Sequence, residues 1–430
     1  MNNKFSYVDL DYKPNPSRDV VTTLYVESIV PLRDAADAIA AESSTGTWTD
    51  VCTMSSSIFE ELSAKVFYIN EITRIVKIAY PSALFETDNI PQLLASVAGN
   101  IFGLKGINKL LLLDLQLPDE FLYKNLGPAL GIPGIRKLVN VYDRPLLGSI
   151  IKPKVGLSPR EHARVAYEAW RGGVDLIKDD ENLTDQKFCP FEDRVKFTLE
   201  AKQKVEEETG EKKIYAPNIT ASFDEMLKRA EVVKKLGGEC IMIDVITVGF
   251  AGVDFIRKQN FGLIIHGHRA MHGVMTHNPS HGINMLVLAK IARLIGVDEL
   301  HTGTVIGKMA GGRQEVTAID SFLRTDWGPI LPTMPVASGG LHPGHVVELV
   351  KILGKDVIIN MGGGIHGHPS GTQSGAIAAR QAIEAACLNI PLKKYAKKHK
   401  ELAEAVEKWG IYGEEKYSSP ITYLSRYIVK

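Results

Sequence analysis

From about residue 145 to residue 364 one pattern recurs. A short apolar run gives way to a polar or glycine-rich stretch and then to a helical segment, about every 25 to 40 residues. Eight such runs occur, at 145–154, 174–181, 213–220, 239–248, 261–268, 299–308, 334–340 and 356–364. Helical candidates lie between them at 159–170, 192–208, 223–236, 283–294, 343–353 and 375–386. A strand buried on both faces reads as an unbroken apolar run, and eight strand–helix units are what a closed (β/α)8 barrel needs. The predicted fold class is therefore α/β: an N-terminal α+β domain, then a TIM barrel with a C-terminal helical extension. Functional side chains in such barrels sit at the carboxyl ends of the strands.

Those ends are polar. The second run closes as Gly172-Gly173-Val174-Asp175-Leu176-Ile177-Lys178-Asp179-Asp180-Glu181. Side chains alternate along a strand, so Lys178 and Asp180 share a face, Asp179 points the other way, and Glu181 sits where the strand yields to its loop. One cation and two carboxylates around one spot invite a hard, oxygen-liganded ion such as magnesium. An ammonium cannot ligate, but a neutral Lys178 that captured carbon dioxide as a carbamate would become a third oxygen anion. A structural Lys–Asp ion pair at the barrel rim and a Schiff-base lysine fit the same residues.

The other ends add Lys152 and Lys154, Asn218 and Thr220, Asp244, His266 with His268, Arg269 and His272, and His301 with Lys308. Each alone is a weak signal; clustered without purpose, they would cost stability repeatedly. Runs seven and eight end in Ser338-Gly339-Gly340 and Gly362-Gly363-Gly364, where barrels of this kind hold phosphate through backbone N–H groups. With Arg269 and His301 as a second anion site across the mouth, the pattern points to a substrate phosphorylated at both ends.

Residues 1–140 behave differently. Strand-like runs at 20–26, 75–80 and 109–115 mix with helical pattern at 32–42 and 89–99, which predicts a separate α+β domain ahead of a catalytic domain at 141–430. Inside it, residues 41–50 form a hydroxyl-rich loop carrying Trp48, whose simplest reading is a helix end and a turn. Lys+Arg and Asp+Glu both total 50, so no global field favours nucleic acid or an anionic membrane. Cys52, Cys189, Cys240 and Cys387 lie far apart, as buried thiols in a reducing compartment would. The first ten residues lack a signal-like apolar run, and no stretch approaches ~18 apolar residues, so a cytoplasmic protein is expected. Residues 392–409 read as one charged amphipathic helix with a solvated lysine face.

Taken together, the motifs resemble the large subunit of ribulose-1,5-bisphosphate carboxylase/oxygenase, RuBisCO, along nearly the whole chain. The likeness is carried by Glu42-Ser43-Ser44-Thr45-Gly46-Thr47-Trp48, Gly99-Asn100-Ile101-Phe102-Gly103, Ile151-Lys152-Pro153-Lys154 and the 172–181 motif. It continues through His268-Arg269-Ala270-Met271-His272, residues 301–308, Ser338-Gly339-Gly340 and residues 362–369. The resemblance implies carboxylation of ribulose 1,5-bisphosphate by CO2 to two 3-phosphoglycerate, with O2 competing. It implies Mg2+ held by Lys178 as a CO2-derived carbamate with Asp180 and Glu181, an acid/base Lys152, a proton-transferring His268 and a loop-closing Lys308. Arg269, His301 and Ser338 would hold one end of the substrate. Gly340, Gly363, Gly364, Thr47 and Trp48 would hold the other phosphate, with Lys154 and Gly339 also in the substrate set. Glu42 and Asn100 would reach the barrel of a neighbouring subunit, making a head-to-tail homodimer, or a multiple of it, the smallest complete unit.

The wording of the motifs is similar to the archaeal form III or II/III branch, linked to bisphosphate derived from AMP or nucleosides. Two departures bear on loop closure and gas selectivity. The segment between Lys308 and Ser338 is shorter than the family usually has, and Ala310 stands where an acidic residue is common. The competing readings are a RuBisCO-like protein that enolises a related phosphorylated ketose and a non-catalytic phosphosugar-binding scaffold. Retention of Lys152, Lys178, Asp180, Glu181, His268 and Lys308 argues against both.

Overall fold

A computed structural model describes residues 5–306 and 312–414; Lys308 and Ala310 lie outside the described residues. The chain divides into two units. The first gathers Met1–Gly127, Met271–Ile295 and Trp327–Ile330, and the second Pro128–Ala270, Gly296–Asp326 and Leu331–Lys430.

The first unit is built on an antiparallel sheet of β1 (Asp19–Ser28), β2 (Lys65–Asn70), β3 (Ile75–Pro81) and β4 (Ile107–Gln116), with β1 central between β3 and β4. Helix Leu32–Glu42 packs against it. Five alanines favour the helix, and Leu32, Ala35, Ala36, Ile39 and Ala40 form its buried stripe. Truncating Ile39 to Ala would cost about 2–5 kcal/mol of stability. Residues 271–295 join this unit: Gly282–Ile283 adds a short parallel strand to β4, and helix Met285–Leu294 follows. The helix expected from 283 begins at 285 because Gly282 and Ile283 are held in the sheet and the Asn284 side chain caps the Leu286 N–H.

The second unit is the barrel. Its strands are β5 (Leu146–Ile150), β6 (Leu176–Lys178), β7 (Ile214–Ala216), β8 (Cys240–Asp244), β9 (Ile264–His268), β10 (Glu299–Gly303), β11 (Met334–Ser338) and β12 (Ile358–Met361). All pair in parallel, and the Asn218–Met242 bridge brings β7 to β8. Each falls inside one of the eight apolar runs. Inward residues Leu146, Leu176, Ile214, Cys240, Ile264, Met334 and Ile358 each begin their strands and share one apolar cluster with Ile132, Ile135 and Val139. Helix Gly131–Val139 therefore stoppers the amino-terminal floor of the barrel. Sequence pattern does not reveal this helix, since Pro133 and Gly134 sit within it.

Two further expectations change. The single helix predicted at 392–409 is two, Leu392–Ala396 and Lys400–Trp409, separated by an extended His399. Their buried pairs, Leu392 with Ala396 and Leu402 with Ala405, would fall on different faces of one straight helix. Among the cysteines, Cys189 and Cys240 are buried, but Cys52 and Cys387 are exposed free thiols. No helix among the described residues is long and apolar enough to cross a membrane.

Candidate active site

At the carboxyl end of β6, Lys178 points inward, in line with Leu176 on the same face. It is 1 % exposed, and its Nζ donates to the Asp179 carbonyl at 2.6 Å and lies 3.8 Å from Glu181 Oε2. Burial drives its pKa down, against the pull of Glu181, Asp180 and Asp244 and with the help of Lys152. The amine is thus pressed toward its neutral, nucleophilic form.

Asp180 follows on the same side. Its Oδ2 accepts from Lys152 Nζ at 2.8 Å, and its Oδ1 from Asn182 N and Nδ2 at 3.2 and 3.0 Å. Burial pushes its pKa up, but Lys152, Asn182 and Lys178 together hold it below the usual value. Glu181 is half-buried, with Oε1 3.8 Å from Lys154 and Oε2 3.7 Å from His268 Nε2. Burial raises its pKa as well, and the charges of Lys178 and His268 more than offset that. Both carboxyls therefore stay ionised at neutral pH.

Asp179 turns away, as strand alternation requires. It accepts from Arg194 Nε at 3.0 Å, Tyr215 Oη at 2.8 Å and the Asn218 N–H at 2.9 Å. Burial alone would raise its pKa, yet Arg194, His162 with Nε2 3.1 Å from Oδ1, and the Asn218 N–H hold it far below the ordinary carboxylate range. Arg194 also ties down the following loop through the Thr184 and Cys189 carbonyls. Of these supporting residues only Asn218 stood out in the sequence, as a polar strand end; Arg194 and Tyr215 carried no signal, because they lie on helix Phe191–Thr209 and within β7.

The neighbouring strands complete the cluster. His268, at the end of β9, has Nδ1 2.9 Å from Asp244 Oδ1 on β8, which leaves Nε2 toward Glu181. Arg269 is buried, and desolvation brings its pKa down to about 10 against the charges of Glu315 and Asp320. Gly303 leaves room for its guanidinium: a Cβ there would lie 2.5 Å from Nη2, and the backbone is at φ +100°. His301 on β10 is buried with both ring nitrogens engaged, Nε2 with His266 Nε2 and Nδ1 with Ser338 Oγ, each at 2.8 Å. Gly339 and Gly340 continue from Ser338 at φ +120° and +75°. Gly363 and Gly364 open the short turn after β12, and Gly362 clears the passing Lys152 chain, whose Cε would lie 3.0 Å from a Cβ.

The structure thus brings Lys152, Lys154, Lys178, Asp180, Glu181 and His268 together, with Arg269, His301 and Ser338 on the neighbouring strands of the same barrel. Glu42, Thr47, Trp48 and Asn100 lie in the other unit. There Asn100 Nδ2 donates to Glu42 Oε1 at 3.3 Å, while Thr47 is exposed and Trp48 is 91 % exposed. Their loop is pinned beneath by Thr45 Oγ1 against Ser63 Oγ at 2.6 Å and by Ser43 Oγ against Tyr80 Oη at 3.0 Å.

The residues at β6 fit a magnesium ion on one condition. Among the described residues no three His, Cys, Asp or Glu side chains converge as a ligand set. Asp180 and Glu181 supply two oxygen donors, and the neighbouring group is an amine whose pKa burial lowers. Carbamylation of Lys178 would turn that amine into the missing oxygen donor, matching a hard cation's preference.

Two family models cover the chain. Residues 6–121 match the ribulose bisphosphate carboxylase large chain N-terminal domain, and residues 131–409 its catalytic domain. A ribulose bisphosphate carboxylase of Methanocaldococcus jannaschii is 50 % identical over 424 residues, spanning 94 % of this chain and 99 % of that one. The octameric RuBisCO of Pyrococcus horikoshii OT3, solved with sulfate, superposes with a TM-score of 0.91 at 46 % identity, covering 95 % of this chain and 97 % of that one. A dimeric archaeal RuBisCO from Hyperthermus butylicus gives 0.88 at 43 % identity, covering 94 % and 98 %. The chain belongs to the ribulose bisphosphate carboxylase large-chain family, with archaeal enzymes among its relatives.

Proposed function

We propose that this chain carboxylates D-ribulose 1,5-bisphosphate with CO2 and water to two molecules of 3-phosphoglycerate, with O2 competing for the same intermediate. The observation that carries the reading is Lys178, a buried amine pushed toward neutrality beside two ionised carboxylates. Its lone pair attacks CO2, one N–H proton leaves to solvent, and the carbamate joins Asp180 and Glu181 as the residues that would hold Mg2+. When bound, the ion supplies Lewis-acid polarisation of the substrate carbonyl, and the carbamate supplies a base for the C3 proton.

The chain's own residues do the rest. Lys152, its Nζ 2.8 Å from Asp180 Oδ2, moves a proton at the C2 oxygen and delivers the last proton to the product carbanion. His268, oriented through Nδ1 by Asp244, exchanges a proton with a substrate hydroxyl through Nε2. Arg269 with His301 and Ser338 anchors one phosphate, and the glycines 339, 340, 363 and 364 offer backbone N–H groups to the other. Lys154 adds positive charge at the mouth, and the resemblance gives Lys308 the role of closing over substrate.

The site is completed by a second copy of the chain, which contributes Glu42, Thr47, Trp48 and Asn100. A tryptophan this exposed, on a loop this well pinned, supports a contact surface. The solved relatives above are themselves a dimer and an octamer. Bisphosphate derived from AMP or nucleosides is the supply in keeping with the archaeal likeness.

Incubation with radiolabelled bicarbonate, Mg2+ and ribulose bisphosphate tests the reading. Acid-stable label in 3-phosphoglycerate is expected. Substrate enolisation without label would instead mark a ketose enolase, and neither reaction would leave a phosphosugar-binding scaffold.

A further inference from the structure

A line of polar side chains runs through the otherwise apolar interior of the barrel. Glu299 opens β10 at the floor, beside His266 on β9, and Glu299 Oε2 lies 2.7 Å from His266 Nδ1. His266 Nε2 meets His301 Nε2 at 2.8 Å, and His301 Nδ1 meets Ser338 Oγ at 2.8 Å. Glu299 and His266 are fully buried and His301 nearly so; Ser338, at the carboxyl end of β11, is half-exposed. Residues 264, 266 and 268 share one inward face, as do 334, 336 and 338, and Glu299 and His301 pair with Met334 and Val336 of that face, so the line climbs from floor to mouth.

A chain of two neutral imidazoles between two hydroxyl-type ends has only two proton arrangements. If Glu299 is a carboxylate, His266 donates from Nδ1 and accepts at Nε2, His301 donates from Nε2, and Ser338 must turn its hydroxyl proton inward to His301 Nδ1. If Glu299 carries a proton, every bond reverses. Glu299 then donates to His266 Nδ1, His266 to His301 Nε2, and His301 Nδ1 to Ser338 Oγ, leaving the serine O–H to donate into the mouth.

The surroundings choose the second arrangement. Glu299 Oε1 has no hydrogen-bond partner among the described residues, an expensive state for a buried carboxylate and a tolerable one for a neutral acid. Its neighbour Asp298 takes three backbone donors, from Leu130 and Gly131 on Oδ1 at 2.7 and 2.9 Å and from Ile265 on Oδ2 at 2.9 Å. Those donors work against burial, which on balance raises the Asp298 pKa, and negative charge on Asp298 opposes a second one on Glu299. Burial, and then Asp298, raises the Glu299 pKa well above its ordinary value, while burial lowers His266 and His301 well below theirs.

We propose that Glu299 is a positioning residue: its carboxyl proton fixes the tautomers of His266 and His301, so that Ser338 presents a hydroxyl donor to an oxygen of the bound sugar phosphate. The kinetic part rests on the function proposed above. The proton arrangement does not, and can be read without substrate.

Nitrogen-15 NMR of histidine-labelled, ligand-free full-length chain decides the arrangement. His266 protonated on Nε2 and His301 on Nδ1 are expected; the opposite tautomers, or an imidazolium at either position, overturn the proposal even if the enzyme is fully active. In carboxylation kinetics, Glu299→Leu is expected to raise the KM for ribulose bisphosphate about tenfold, one hydrogen bond's worth or ~1.4 kcal/mol, with little change in kcat. Glu299→Gln, whose amide can donate the same bond, should restore KM to within about twofold of wild type, and in a Ser338→Ala background Glu299→Leu should have almost no further effect. An equal effect in both backgrounds, or a loss confined to kcat, sinks the idea. A chain that shows the expected tautomers but does not turn over the bisphosphate refutes the function and leaves the arrangement standing.

Discussion

Lys178 draws its chemistry from where burial leaves its proton. An arginine stays cationic at any working pH and a methionine has no amine to carbamylate, so Lys178→Arg and Lys178→Met should both abolish carboxylation. Neither variant should gain activity from preincubation with CO2 and Mg2+, and a stopped assay after preincubation measures this directly. Gly303 makes a second prediction at the same scale. In Gly303→Ala the new Cβ meets the Arg269 guanidinium, and the positive φ adds strain of about 1 kcal/mol or more. The KM for ribulose bisphosphate should rise at least tenfold while the far-ultraviolet circular dichroism stays native. The strand-end positions of Lys152, Lys178, Asp180 and His268 were legible because alternation and the barrel rule say where to look. Glu299 and His266 were not singled out as a pair: Glu299 opens its strand at the opposite end, and only strand pairing sets the two side by side.

Among the elements, β6 is anchored before it reaches the site. Asp175 receives Arg144 Nη1 and Nη2 at 2.6 and 2.8 Å and the Leu147 N–H at 2.7 Å, which locks the start of β6 to β5. Burial pushes the Asp175 pKa up, but Arg144, Arg380 and Lys213 together hold it below 3.8. A carboxyl with a depressed folded pKa stabilises the fold above its unfolded pKa of about 3.9, and that stability fades as pH falls through the folded value. Asp175→Asn breaks a buried pair and should lose about 3–5 kcal/mol at pH 7, with a smaller deficit below about pH 4, as urea unfolding at the two pH values will report. The eight barrel strands were readable because each lies in a mostly apolar, buried run bounded by polar or glycine-rich residues. Strand β2, half-exposed at a sheet edge, and the helix Gly131–Val139, interrupted by Pro133 and Gly134, lack a clean period and were not.

For the whole molecule, the division of labour between the two units sets the experiment. If Glu42 serves the barrel of a neighbour, mixing Glu42→Gln chains with Lys178→Ala chains creates one intact site per mixed dimer. Random reassociation should then recover roughly a quarter of wild-type activity from two inactive parents. Failure in a verified mixed dimer would place Glu42 and Lys178 in the same chain's site or remove Glu42 from the site. The domain order and the N-terminal loop were legible in the sequence; the return of residues 271–295 to the first unit was not, because its one strand is two residues long.

The stopper at the foot of the barrel also governs traffic. With Ile132, Ile135 and Val139 wedged among the first residues of the strands, nothing can travel along the axis from below. Substrate and product must reach and leave the strand-end residues from the carboxyl side, so 3-phosphoglycerate still held there competes with the next substrate for the same residues. The closed floor offers the two gases no axial entrance of their own, which leaves the reacting carbon to tell O2 from CO2.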